Sequence, residues 1–167
     1  MGSDKAIKQP IVEELYAQAL VLADEARTLF DMRGKETADN DNVAMRMALS
    51  VEGLRTTTRV MNILAWLLNQ RAYLQGELSS KQIMKHGALA DERPSDPKNL
   101  ASLLPDAQYL IRESEKMYHR IARLDTTWRD QANDDADRTQ SSVHSMQSMI
   151  TQAFCEGSDG LKASKTG

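Results

Sequence analysis

The side chains that could do chemistry in this chain are few and scattered. His86, His119 and His144 fall on different segments. Glu115 and His119 stand four residues apart, which places them on one helix face and offers a cation two ligands. A bundle metal site needs further donors converging from other helices, and the chain has no E-x-x-H or H-x-x-x-H to supply them. The pair reads as an ordinary polar pair on a helix. Asp91-Glu92 and Asp134, Asp135 and Asp137 are carboxylate clusters in segments where nothing fixes the separation that acid–base work requires. Cys155 has no histidine beside it, no serine sits in G-x-S-x-G, and GLKASKTG holds Gly, Lys, Ser and Thr in the wrong order for a phosphate loop. The expectation is a chain with no catalytic residues, no metal and no cofactor.

A different stripe suggests binding. Arg55, Arg59, Asn62, Trp66 and Tyr73 recur at spacings of 4, 3, 4 and 7. Arginine beside aromatic rings anchors many interfaces. The same residues also border ordinary cores, with the arginines paired to acids of a neighbouring element.

Helices must position these residues. Val12, Leu15, Ala19, Leu22, Ala26 and Leu29 alternate spacings of 3 and 4, which predicts a helix from Pro10 to about residue 32. Met47, Val51, Leu54, Thr58, Met61, Ala65, Leu68 and Ala72 form a heptad seam and predict one long helix over 42–75. Gly53 within it would allow a close crossing. Gly76 stops that helix, Ser79 or Ser80 caps a short piece, and Gly87 closes it. Residues 88–101 read as a polar loop with two prolines. Ala107, Leu110, Ser114, Met117, Ile121, Leu124 and Trp128 predict a third helix from Pro105 to about residue 129. The result is an all-α, antiparallel up-down-up three-helix bundle over 10–129, followed by a flexible polar tail over 130–167. In that tail Val143, Met146, Met149, Ile150 and Phe154 form an amphipathic patch able to fold on a partner.

With 21 Lys plus Arg against 24 Asp plus Glu, the chain lacks the basic surplus of a nucleic-acid binder. No stretch reaches the ~20 apolar residues of a membrane span. The N-terminus carries no apolar signal run, and a single cysteine suits a reducing compartment, so a cytoplasmic protein is expected.

VMNILAWLL, residues 60–68, is apolar almost all the way round a helix. With the heptad seam turned inward, Val60, Ile63, Leu67 and Leu74 project to the far side. An apolar stripe there needs cover, and a second copy of the chain is the expected occupant. The alternative is burial under the chain's own loop or tail.

The stretch ALSVEGLRTTTRVMNILAWLLNQRAYLQGELS, residues 48–79, resembles the central helix of the RcdA family, regulators of CtrA degradation in alphaproteobacteria. LLPDAQYLIRESEKMYHRIARLD, residues 103–125, resembles that family's third helix. The closest pieces are Leu54-Arg55-Thr56-Thr57-Thr58-Arg59, Trp66-Leu67-Leu68, Gln70-Arg71-Ala72 and Gly76-Glu77, and the likeness covers about residues 11–129. The resemblance implies a homodimeric three-helix bundle without enzymatic activity. It also implies an adaptor that promotes degradation of cell-cycle regulators by the ClpXP protease, alongside adaptors such as CpdR and PopA. The alternative is a scaffolding helix-bundle dimer with no protease link.

Overall fold

The computed structural model describes the backbone of residues 2–38 and 42–159, and their side chains except at 2–4, 136 and 152–159. All regular structure among these residues is helical, as expected: α1 Gly2–Thr37, α2 Val43–Gln75, α3 Ser80–His86, α4 Pro97–Ser102 and α5 Pro105–Asp159. The chain divides into two compact units, Met1–Asp125 and Thr126–Gly167.

In the first unit α1 buries Val12, Leu15, Ala19, Leu22 and Ala26, the stripe its spacing predicts. The helix begins before Pro10 rather than at it. Lys5 Nζ donates to the Tyr73 carbonyl at 3.4 Å and lies 4.7 Å from the Tyr73 ring, so the turns ahead of the proline have a partner on α2. Pro10 and Ala6 are exposed, which lets water satisfy the carbonyl that proline leaves unbonded. At the other end of α1, Arg33 Nε donates to Asp106 at 3.1 Å, and this bond holds the Asp106 carboxyl below the usual carboxylate range.

The C-cap of α2 and both caps of α3 follow the sequence, and the structure adds the N-cap of α2. Asn42 accepts from the Met45 amide at 3.1 Å. Gly76 takes φ 85°, a left-handed conformation that a side chain disfavours, and ends α2. Ser79 and Gln82 form a reciprocal capping box, and Gly87 closes α3 by donating to the Ile83 carbonyl at 2.8 Å. A Cβ on Gly53 would lie 3.1 Å from the Phe30 ring, so the expected close crossing of α1 and α2 is present.

Residues 97–101, read from the sequence as loop, lie in α4, with Pro97 in its first turn and Asp96 accepting from the Lys98 amide. Larger features of the bundle also differ from expectation. The first is which face of α2 lies inside. Val60, Ile63 and Leu67 are buried within the chain's own core and Leu74 is half-buried, so Val60, Ile63 and Leu67 form no surface for a second copy. The heptad seam faces out instead: Met47 is 63% exposed, Leu54 70%, Met61 64% and Leu68 49%. The physical reason is that the inward face also carries Glu52, Thr56, Arg59 and Gln70, all buried. A face holding buried charge loses to a clean apolar seam unless partners are supplied, and here other parts of the chain supply them.

The second difference is direction. Ala107 and Ile111 cluster with Ala48 and Leu49, Ser114 meets Arg59, and Asp125 meets Trp66, so α5 runs parallel to α2. The α1 helix runs antiparallel to both, with Phe30 against Gly53, Glu13 against Arg71 and Leu22 in one cluster with Leu110. Up-down-up becomes a bundle in which the connection after α2 travels back along the helices.

In the second unit α5 continues to Asp159, where a flexible tail was expected from residue 130. Residues 130–156 contain neither glycine nor proline, and polarity alone does not end a helix. All described side chains from 133 to 151 are exposed.

Candidate functional site

The binding stripe read from the sequence is a bed for the returning connection. Residues 88–96 lie along α2 and α5 as an extended strap. Its Leu89 amide donates to Asp125 at 3.2 Å, and Tyr118 donates to the Ala90 carbonyl at 2.8 Å. The Ser95 amide donates to Glu115 at 3.1 Å and the Asp96 amide donates to Glu52 at 3.1 Å. From Trp66, which shares Asp125, back to Glu52 is fourteen helical residues, roughly 21 Å, a distance that seven extended residues also cover.

Arg59 is the centre of this contact and is 1% exposed. Its Nε donates to Glu92, Nη1 donates to Ser114 Oγ at 2.8 Å, and Nη2 reaches the Arg93 carbonyl at 3.3 Å and Glu115 at 3.4 Å. Glu52, fully buried, accepts from Arg55 at 2.7 Å, Asn99 at 3.0 Å and the Asp96 amide. Trp66, 1% exposed, donates its indole N–H to Asp125 at 2.7 Å. Within the stripe, Arg59 and Trp66 are therefore committed inside the chain. Arg55 pairs with Glu52, and half-buried Tyr73 carries Lys5. The alternative of arginines paired with neighbouring acids describes the stripe. Glu115 and His119 both address the strap: Glu115 accepts from the Ser95 amide, and His119 Nε2 lies 3.7 Å from Glu92.

What α2 offers to the outside is the opposite face. All twelve of its exposed residues, from Val43 to Gln75, are uncharged. Its five charged residues are engaged within the chain: Arg46 with the Ala38 carbonyl, Glu52, Arg55 and Arg59 as above, and Arg71 with Glu13 at 2.8 Å and over the Tyr16 ring at 4.6 Å. From Val43 to Leu68 this uncharged face is roughly 38 Å long. Its side-chain content was visible in the sequence as the heptad seam, but its exposure was not.

On the second unit Val143, Met146, Met149 and Ile150 are each more than half exposed on the helix, while the Phe154 side chain lies outside the described residues. Among the described residues no group of three or more His, Cys, Asp or Glu is arranged to hold a metal ion, and no helix is long and apolar enough to cross a membrane.

No curated protein and no solved structure matches the chain. One family does match, over residues 3–154, and the chain thus belongs to the family described as "Protein of unknown function (DUF1465)".

Proposed function

We propose that this protein is a non-enzymatic adaptor that works by docking, with the uncharged outer face of α2 as its principal surface. The observation that carries the reading is that face: a helix in a chain with 27% charged residues exposes twelve positions, none charged, with large aliphatic side chains at heptad spacing. A stripe of this kind on a lone chain exposes an apolar patch that water disfavours, and a packed helix relieves it. A second copy is the occupant assigned to it. Two-fold pairing places like on like, and an uncharged stripe meets no repulsion when it does so. The homodimer thus moves from the buried Val60, Ile63 and Leu67 to Met47, Leu54, Met61 and Leu68.

The protease link rests on the resemblance of residues 48–79 and 103–125 to the RcdA family. In that reading the dimer brings protein substrates and further adaptors, CpdR or PopA, to cytoplasmic ClpXP, and tethering raises their effective concentration there. Co-purification from the native cell tests it: capture of ClpX and CpdR or PopA by the wild-type chain, and accelerated substrate degradation by ClpXP on adding it, are expected. Absence of both with a dimer intact leaves the scaffolding alternative. For the dimer, light scattering should give twice the chain mass, and Leu54→Asp with Met61→Asp should give a helical monomer. A wild-type monomer at high micromolar concentration refutes it.

A further inference from the structure

A second exposed surface lies on the side of the first unit formed by α1 and α5. Ala17, Val21, Tyr109 and Met117 line a groove of about 590 Å³ between the two helices. Val21 is 59% exposed and Tyr109 65%, so the floor is apolar and open. The walls differ in charge. The α1 ridge carries exposed Glu14 and Glu25, with Gln18 donating to Glu14 at 3.1 Å. The α5 ridge carries exposed Arg112, Lys116, Arg120 and Arg123 at spacings of 4, 4 and 3, within roughly 80° of arc. Lys116 pairs with Glu113 at 2.7 Å, which leaves the ridge net basic.

We infer that this groove receives an amphipathic helix of another protein, one whose apolar stripe is flanked by an acidic edge and a basic edge. The apolar anchors fill the space over Val21 and Tyr109. The acidic edge faces Arg112, Lys116 and Arg120, and the basic edge faces Glu14 and Glu25. Helix-in-groove recognition supplies the affinity, and the opposed walls fix the direction in which the helix lies. A nucleic acid fits less well, because the α1 carboxylates repel phosphate and the floor is apolar. From Ala17 to Glu25 the groove floor is roughly 12 Å long, enough for anchors at i, i+3 or i+4, and i+7. The inference is independent of the protease link and of the second copy on α2.

The test uses the full chain and a labelled, synthetic helical peptide with Leu at those positions, Glu along one edge and Lys along the other. Fluorescence anisotropy should show saturable binding tighter than about 100 μM, a range typical of weak, transient contacts. The same peptide with its residues shuffled to destroy the stripe should bind at least tenfold more weakly. Lys116→Glu with Arg120→Glu should weaken binding at least tenfold, and Val21→Asp should abolish it, with the melting curve of each variant unchanged. These residues are exposed, so the fold does not depend on them, and Tyr109→Asp provides an independent variant of the floor. Equal binding of both peptides, indifference to these substitutions, or no saturation at 1 mM overturns the proposal. So does preferential binding of single-stranded RNA or anionic vesicles by the same ridge, or a crosslink from Tyr109 to a second copy of the chain.

Discussion

At the scale of single residues, Arg59 joins three parts of the chain through one planar group. Replacing it with Met would leave Glu92, 9% exposed, and Glu115 facing a hydrocarbon. Removing one partner of a buried ion pair costs about 3–5 kcal/mol, because the other charge stays buried. Arg59→Met should therefore lower stability to urea by that amount, and Arg59→Lys should recover only part of it, since an ammonium cannot match the fork of donors. If Glu92→Gln added to Arg59→Met costs as much again as it does alone, the two residues are not coupled and the strap is held elsewhere. Tyr118 gives a pH-dependent counterpart. Burial pushes its hydroxyl above the ordinary tyrosine value, and Glu92 and Asp91 push the same way. The folded state thus favours the protonated phenol. The stability it contributes is complete below the unfolded value of about 10 and is lost as pH rises through the higher folded value. Subtracting the ultraviolet titration of Tyr118→Phe from that of the wild type should isolate a phenol ionising above about 10, whereas one ionising at or below that pH contradicts the buried contact.

At the scale of an element, α2 separates neighbours in sequence into opposite roles. Leu67 is fully buried and Leu68 is 49% exposed. Leu67→Ala should cost about 2–5 kcal/mol, as large-to-small changes in packed cores do, and Leu67→Asp should unfold the bundle. Leu68→Ala should cost well under that in the isolated chain, and its effect should appear in association instead. Equal losses in chemical denaturation of a monomeric variant would mean that the outer face is packed after all. Gly87 at the end of α3 allows a third comparison. A Cβ there would lie 2.4 Å from Ile83 Cδ1 and 2.6 Å from the Ile83 carbonyl oxygen. Gly87→Ala should destabilise by about 1–3 kcal/mol, since the backbone must shift to admit the methyl group. A melting temperature unchanged by this substitution would show that the closing turn of α3 moves freely.

At the scale of the whole molecule, the buried core residues lie in the first unit, and the described part of the second unit is helix, its described side chains from 133 to 151 exposed. Helical structure that buries little side-chain surface has low local stability. Amide hydrogens of residues 133–150 should exchange far faster than those of residues 107–121, and truncation after Ala132 should leave the melting temperature of the bundle nearly unchanged. A loss of more than several degrees would make the second unit part of the core. Under the adaptor reading, the same truncation should weaken delivery to ClpXP while dimer mass is preserved, because Val143, Met146, Met149 and Ile150 are lost from a surface a partner can reach.

The sequence by itself determined that α1, α2, α3 and α5 are helices, the ends of α2 and α3, the start of α5 and two of the three core stripes; it missed α4, both ends of α1 and the run of α5 beyond residue 129. In α1 and α5 one apolar stripe stands out from a polar background, so burial could fall on only one face, and Leu15, Ala19, Leu110 and Ile121 are where the spacing puts them. Caps such as Ser79 and Gly76 were legible because they are local chemistry. The inward face of α2 was not. That helix is apolar on two sides, and the side with Glu52 and Arg59 goes inward where Glu92, Ser95 and Ser114 bond Arg59 and where Asp96 and Asn99 bond Glu52 Oε1, although Glu52 Oε2 and Thr56 Oγ1 stay buried without a partner among the described residues. Those partners are 33 to 55 residues away in the chain, and no periodicity reports them. The direction of α5 follows from the same fact, since the strap must run back along α2 to bring its donors and acceptors to that face. Local pattern fixes which segments coil into helices; which face a doubly apolar helix hides is decided by where distant polar groups find their hydrogen bonds.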